Sequence, residues 1–143
     1  MDSKIYRIID ANINRAKEGI RVVEEVCRFI LEDEVLTAKL KKIRHQIGKS
    51  NNKLVDYSLL LASRDSEADP GLSISAKNKS KRNNYVDLVT SNMCRAQESC
   101  RVLEEISKLK DENLGFEFEK IRYSLYSLEK EVIEALEGVV CNS

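Results

Sequence analysis

One stretch of this chain occurs twice, and that repeat limits the folds open to it more than any other feature. Asn12-Ile13-Asn14-Arg15-Ala16-Lys17-Glu18-Gly19-Ile20-Arg21-Val22-Val23-Glu24-Glu25 returns, with no gap, as Asn92-Met93-Cys94-Arg95-Ala96-Gln97-Glu98-Ser99-Cys100-Arg101-Val102-Leu103-Glu104-Glu105, offset by 80 residues. Eight of the fourteen positions are identical, and most of the identical ones are polar or charged. A long internal repeat means two related structural units. Cores usually keep their apolar pattern and let their charges drift, so the kept Arg and Glu types need an explanation.

The composition suits a helical answer. A single Pro and five Gly leave little material for the turns of a sheet protein. The length of 143 residues fits one domain, residues 1–143, with a buried core. The net charge is zero, so no overall basic field exists to hold nucleic acid or an anionic membrane, and any anion site must be local. Met1-Asp2-Ser3-Lys4 has no signal-peptide pattern, and no apolar run is long enough to span a bilayer. Cys27, Cys94, Cys100 and Cys141 show no C-x-x-C spacing and read as reduced thiols of a cytoplasmic protein. Phosphate-loop, dinucleotide, zinc-protease and EF-hand motifs are all missing.

Apolar residues recur at helical spacing in four segments. In the first, Ser3 to Leu31, Ile9, Ala16, Val23 and Ile30 recur every seven residues, and Asp2 or Ser3 can cap its start. After the acidic turn Glu32-Asp33-Glu34, a second helix carries Leu36, Leu40, Ile43, Ile47, Leu54 and Leu61, with any kink expected at Gly48–Asn52. An irregular segment, residues 62–82, follows, with the turn signal Pro70-Gly71 and a basic run from Lys77 to Arg82. A loop of this length is usually either functional or disordered. The third helix, Asn83 to Lys108, turns Tyr85, Leu88, Val89, Ala96, Leu103 and Ile106 inward. The fourth carries Leu114, Phe118, Ile121, Leu125, Leu128, Val132 and Leu136, with fraying expected beyond Gly138. The expectation is an all-α, four-helix bundle of two duplicated antiparallel hairpins, about 3–61 and 83–137, joined by a long crossover.

On a helical wheel the repeat turns Asn12, Ala16, Gly19, Val23 and Val26 inward and puts Arg15, Glu18, Val22, Glu25 and Phe29 on a flanking strip. Arg21 and Glu24 fall towards solvent. The second copy places Arg95, Glu98, Val102, Glu105 and Leu109 on the matching strip. Three readings stay open. The charges can pair along their own helix, each pair contributing only about 0.2–0.5 kcal/mol. Arg15 and Arg95 can cross-brace glutamates between the hairpins. Or guanidinium and carboxylate groups can meet across the pseudo-dyad around a phosphate, with carboxylates for a metal or a proton. Asn12 and Asn92 on the core side can fix helix register or read a ligand. His45, beside Arg44, reads first as a satisfied polar residue and second as a ligand contact; the second half has Tyr123 there. Val22, Phe29, Val102 and Leu109 can serve a homodimer as well as a cleft.

The runs Arg7-Ile8-Ile9-Asp10-Ala11-Asn12, Arg15-Ala16, Glu18-Gly19, Arg21-Val22-Val23-Glu24-Glu25, Ile43-Arg44-His45, Ala62-Ser63-Arg64-Asp65 and the second copy from Asn92 to Glu105 resemble the all-helical domain often fused ahead of thiamine-phosphate synthase. That domain is assigned as an alternative hydroxymethylpyrimidine phosphate kinase. The resemblance implies ATP-dependent phosphorylation of a hydroxymethylpyrimidine phosphate to the diphosphate, with ATP and Mg²⁺ as cofactors and thiamine-phosphate synthase as a partner. By chemical type, Arg15, Arg95, Arg44, Arg122 and Arg64 would neutralise phosphate charge. Glu18, Glu25, Glu98, Glu105 and Asp65 would hold Mg²⁺ or orient the hydroxyl, while Asn12 or Asn92 would read the aminopyrimidine and His45 would line the substrate site. No metal ligand set is fixed. The alternatives are a non-catalytic module that binds a pyrimidine or phosphate ligand or regulates a partner synthase, and a purely structural dimerisation bundle.

Overall fold

The computed structural model describes residues 2–71 and 81–141, the last two of these by backbone alone. The stretch from Lys77 to Ser80 of the basic run, and the side chain of Cys141, lie outside the described residues. The described residues form helices and the turns between them, without a strand. Four long helices carry the fold: α1 (Ser3–Glu25), α2 (Glu34–Leu54), α4 (Tyr85–Ser107) and α5 (Glu112–Cys141), with a short α3 (Tyr57–Ser63) after α2. α1 packs on α2 and α4, α5 packs on α4 and α2, and α3 packs on α1.

The starts of α1, α2 and α4 are each made by a side chain that satisfies otherwise orphaned amides. Asp2 accepts from the amides of Lys4 and Ile5 at 2.9 and 3.1 Å. Asp33 accepts from Leu36 at 2.9 Å, and Asn84 from Asp87 at 2.8 Å. The apolar periods then meet in one core. Ile9, Ile20 and Val23 of α1, Leu40 and Ile47 of α2, Val89, Met93 and Leu103 of α4, and Phe118, Leu125 and Val132 of α5 are all removed from solvent.

Four expectations need correction. The first helix does not run evenly to Leu31: residues Val26–Ile30 widen into a π turn, closed by the Leu31 amide on the Val26 carbonyl at 3.0 Å. Glu32 then takes a positive φ of 51°. These features accommodate a difference between the halves. The register is 80 residues in α1/α4 but 78 in α2/α5, as Arg44 and Arg122 show, so the first hairpin turn holds two extra residues.

The second helix does not reach Leu61. It passes through Gly48–Asn52 unbroken and stops at Leu54, where Val55 turns to an extended conformation. Lys110, from the turn of the other half, donates to the Leu54 carbonyl at 2.6 Å and so meets one of the acceptors a helix end exposes. The chain restarts at Tyr57, which shifts the face: Leu60 is buried and Leu61 is half exposed. Tyr85, first residue of α4, is also exposed rather than inward. At the far end, α5 continues helical past Gly138 to Cys141.

α1 and α4 approach closely at Gly19. A Cβ built there would lie 2.7 Å from the Asn92 carbonyl oxygen and 3.5 Å from Ala96 Cβ. The absence of a side chain at this one position sets that helix separation.

Candidate functional site

The repeated charges resolve first into two matching braces. Glu24 is buried, and Arg44 of α2 grips it through Nε at 2.9 Å and a terminal nitrogen at 3.3 Å. In the second half Arg122 of α5 holds the buried Glu104 through Nε at 2.9 Å. Arg21 and Arg101 lie over these pairs from the solvent side, Arg21 3.3 Å from Glu25 and Arg101 2.9 Å from Glu104 and 3.0 Å from Glu105. The hydrogen bond that Arg122 donates to Glu104 is the main cause of its strongly raised pKa. Lys108 and then Arg101 hold the Glu105 carboxyl below its ordinary range.

Glu24 therefore does not face solvent, as one isolated helix suggested; α2 covers that side and supplies its arginine. The braces run within each half. Among the described residues, the charge pairs between α2 and α5 are Lys39–Glu131 at 3.2 Å and Lys53–Glu117 at 2.8 Å, with Ser50 also donating to Glu117 at 2.9 Å. Neither uses a residue of the repeat. The expected meeting of repeat arginines and glutamates across the pseudo-dyad is not formed. Nor is the Arg15–Glu18 pair along α1.

The remaining repeat residues are placed as follows. Arg15, Glu18, Arg95 and Glu98 are exposed; Glu98 accepts from Cys94 Sγ at 3.3 Å. Asn12 and Asn92 do the same thing in both halves: each Nδ2 donates at 2.8 Å to the carbonyl four residues back, Ile8 or Leu88. One N–H of each amide is thus engaged by its own helix, leaving Oδ1 and the second N–H to other partners.

Two grooves gather site candidates, and both lie on the solvent side of α1. The first sits under the loop that follows α3. There Arg64 grips Asp10 through Nε at 2.7 Å and a terminal nitrogen at 2.9 Å, the Asp10 carboxylate also accepts from Asn14 at 3.3 Å, and Arg64 lies 5.9 Å from the Tyr57 ring centroid. The bond to Asp10 is the main cause that raises the Arg64 pKa. Arg7 donates to the Asp65 carbonyl at 3.2 Å, and the Asp65 carboxylate accepts from the Ala68 amide at 3.3 Å. Two adjoining depressions share Arg7, Ala11 and Asp69; one is lined further by Asp10, Asn14, Arg64 and Asp65, the other by Lys4, Asn12, Arg15 and Pro70. Arg64, Asp65, Arg15 and Asn12 are thereby brought together. Asp10, Arg7 and Asp69 were not singled out from the sequence. Asp10 faces Thr90 in the other copy, so attention to what repeats passes over it.

The second groove, about 540 Å³, runs between α1 and α2 and collects Glu18, Arg44 and His45 with Lys17, Arg21 and Lys49. Arg95, Glu98, Glu105, Asn92 and Arg122 line neither groove. Glu25 is occupied by Arg21. Among the described residues no three His, Cys, Asp or Glu side chains cluster to cage a metal. A Mg²⁺ that arrives with phosphates needs only one or two carboxylates, and Asp65 and Asp69 fit that smaller demand.

Among the described residues, an all-helical fold with two charged grooves along one helix is the class that fold and site define. A family model described as the ThiD2 family matches residues 7–131, and the chain belongs to that family. It is 36% identical over 129 residues to a thiamine-phosphate synthase of Nostoc punctiforme, covering 90% of this chain and 35% of the relative. It is 39% identical over 127 residues to one of Thermosynechococcus vestitus, covering 89% and 35%, and 38% identical over 138 residues to one of Parasynechococcus marenigrum, covering 96% and 38%. The chain thus spans little more than a third of the length of the curated relatives it matches. No solved structure matches it. Among the described residues no helix is long and apolar enough to cross a membrane.

Proposed function

We propose that this chain serves thiamine biosynthesis by phosphorylating a hydroxymethylpyrimidine phosphate to the diphosphate, with ATP as donor and Mg²⁺ as counter-ion. The observation that carries the reading is the return of the 64–71 loop onto α1. It sets Arg64 against Asp10 and beside Arg7, with Arg15 in the adjoining depression and the Asp65 and Asp69 carboxylates at the rim. Phosphoryl transfer is mostly positioning and charge neutralisation. An oxygen of the substrate's own phosphate forms a bond to the γ-phosphorus, the bond from that phosphorus to the bridging oxygen breaks, and ADP leaves with the electron pair. The attacking phosphate oxygen is already ionised near neutral pH and needs no carboxylate to take a proton. Arg15, Arg7 and the outer edge of Arg64 are the groups that stabilise the transferring phosphoryl. Asp65 is the carboxylate that would meet Mg²⁺, and Asn12 Oδ1 is an acceptor for the aminopyrimidine.

The same reading takes the four long helices as two duplicated hairpins in a four-helix bundle. The matched braces Glu24–Arg44 and Glu104–Arg122 support it. A second reading is a non-catalytic module that binds the pyrimidine phosphate or a partner synthase. The kinship with about a third of each synthase chain favours it, and the exposed Phe29 and Leu109 beside the two hairpin turns offer it, or a homodimer, a contact.

Incubating the protein with ATP, Mg²⁺ and the pyrimidine monophosphate and following diphosphate by ³¹P NMR separates the readings. Turnover that falls on the order of 10²–10³-fold in Arg64→Ala, with the helical circular dichroism kept, supports the kinase. A thermal shift with the pyrimidine phosphate but no diphosphate supports the binding module.

A further inference from the structure

The two halves give a built-in comparison for the α1–α2 groove, because the second half carries the same helices and the same brace. There the seam is closed. Gln97 Nε2 donates to Glu129 Oε1 at 2.9 Å across α4 and α5, and Tyr126 stands at the position that Gly48 holds in the first half. In the first half neither closure exists. Lys17 replaces Gln97, and Gly48 offers no side chain; the nearest atoms to a Cβ built there are Lys17 Nζ at 3.4 Å and Lys17 Cε at 3.7 Å. Asn51, the counterpart of Glu129, keeps a buried Oδ1 with no hydrogen-bond partner. A glycine on an otherwise good helical segment costs about 1 kcal/mol against alanine, and here what it leaves is room for the Lys17 side chain at the edge of the open groove.

The open space is cationic. Arg21 and Arg44 are matched by Glu24 and Glu25. Lys17 and Lys49 have no ion pair among the described residues, and Glu18 is the one carboxylate in the lining. The donors run from Arg44 to Asn52 along α2, roughly 12 Å at 1.5 Å per residue. That is longer than a single phosphate. No Phe, Tyr or Trp lines the groove and its one ring is the His45 imidazole, so it lacks a broad platform for stacking a nucleobase. Clustered ammonium and guanidinium donors without an aromatic platform recognise linked phosphates.

We infer that the α1–α2 groove binds an oligophosphate group, one per chain, held by Lys49 and by Lys17, whose side chain the missing Cβ of Gly48 admits to the groove. The inference rests on the asymmetry of the two halves and does not require the chain to be a kinase. The test is calorimetric titration of the whole protein at low salt with inorganic tripolyphosphate, inorganic phosphate and ATP. Tripolyphosphate is expected to bind with a stoichiometry of one and more tightly than phosphate. ATP binding like tripolyphosphate identifies the phosphate chain as the recognised part. ATP binding at least tenfold tighter than tripolyphosphate overturns that part of the inference.

Gly48→Tyr, which installs the second half's residue, should weaken tripolyphosphate at least tenfold. The double change Lys17→Gln with Lys49→Ser should do the same without adding bulk, so a folding defect in the tyrosine variant leaves the test intact. Lys41→Gln removes an exposed charge elsewhere on α2 and should change nothing. Two equivalent sites, unchanged affinity in the double variant, an equal loss in Lys41→Gln, or no binding at millimolar tripolyphosphate would each overturn the inference.

Discussion

Glu104 and Arg122 show what a single side chain contributes here. The carboxylate is 3% exposed and the guanidinium 15%, so removing the acid leaves a largely buried charge alone. Glu104→Gln should destabilise by about 3 kcal/mol, the low end for an unpaired buried ion, read as a lower urea midpoint. Glu105→Gln, on the exposed neighbour, should leave the midpoint nearly unchanged. The thiols make a second prediction. Burial pushes Cys27 up to about 11 and Cys100 up to about 12, from an ordinary 9.0. Below pH 9 both folded and unfolded chains keep these protons. Above it the unfolded thiols ionise while the native ones do not, so stability should fall from pH 9 through about 11 to 12. Alkylation followed by mass spectrometry should find exposed Cys94 modified in the native protein, with Cys27 and Cys100 modified only after denaturation.

At the scale of the helices, Gly19 is the tightest point. Replacing glycine by alanine inside a helix ordinarily stabilises by about 1 kcal/mol. In Gly19→Ala the new methyl would meet the Asn92 carbonyl oxygen at 2.7 Å, backbone that cannot swing aside. The melting temperature should therefore drop, and a rise would show that α1 and α4 separate freely. The α2–α5 contact has its own pH signature. The hydrogen bond from Lys53 holds the Glu117 carboxyl below its ordinary 4.5. Its contribution is present above pH 4.5 and is lost as pH falls through the lower folded value. Lys53→Gln should flatten that acid limb of a melting-temperature profile.

The apolar periods of the long helices were legible in the sequence because each obeys one local rule, spacing on a helix. The stop at Leu54 was not, since its partner is a lysine 56 residues away. The solvent face assigned to Glu24 failed for the same reason: a wheel drawn for α1 alone contains no α2.

For the whole molecule, duplication and function part company. What the two copies share is mainly architecture: the braces, the Asn amides bonded to their own helices, the inward apolar faces. What could do chemistry gathers where the copies differ. Asp10 faces Thr90, Lys17 faces Gln97, Gly48 faces Tyr126, and the loop carrying Arg64 and Asp65 follows the first half. A search for repeated residues finds the frame easily and overlooks the site, because a site formed once leaves no echo at the second copy. Arg15 and Arg95 are the exception that makes the idea testable, being identical, exposed and without an ion pair among the described residues. Arg15 lines a depression under the loop and Arg95 lines neither groove.

The decisive measurement is diphosphate formation from the pyrimidine monophosphate, ATP and Mg²⁺ by Arg15→Ala and Arg95→Ala side by side, with melting temperatures recorded for both. The account predicts equal melting temperatures, with turnover down on the order of 10²-fold or more in Arg15→Ala and unchanged in Arg95→Ala. Equal losses in the two variants, or full turnover in Arg15→Ala, would contradict it.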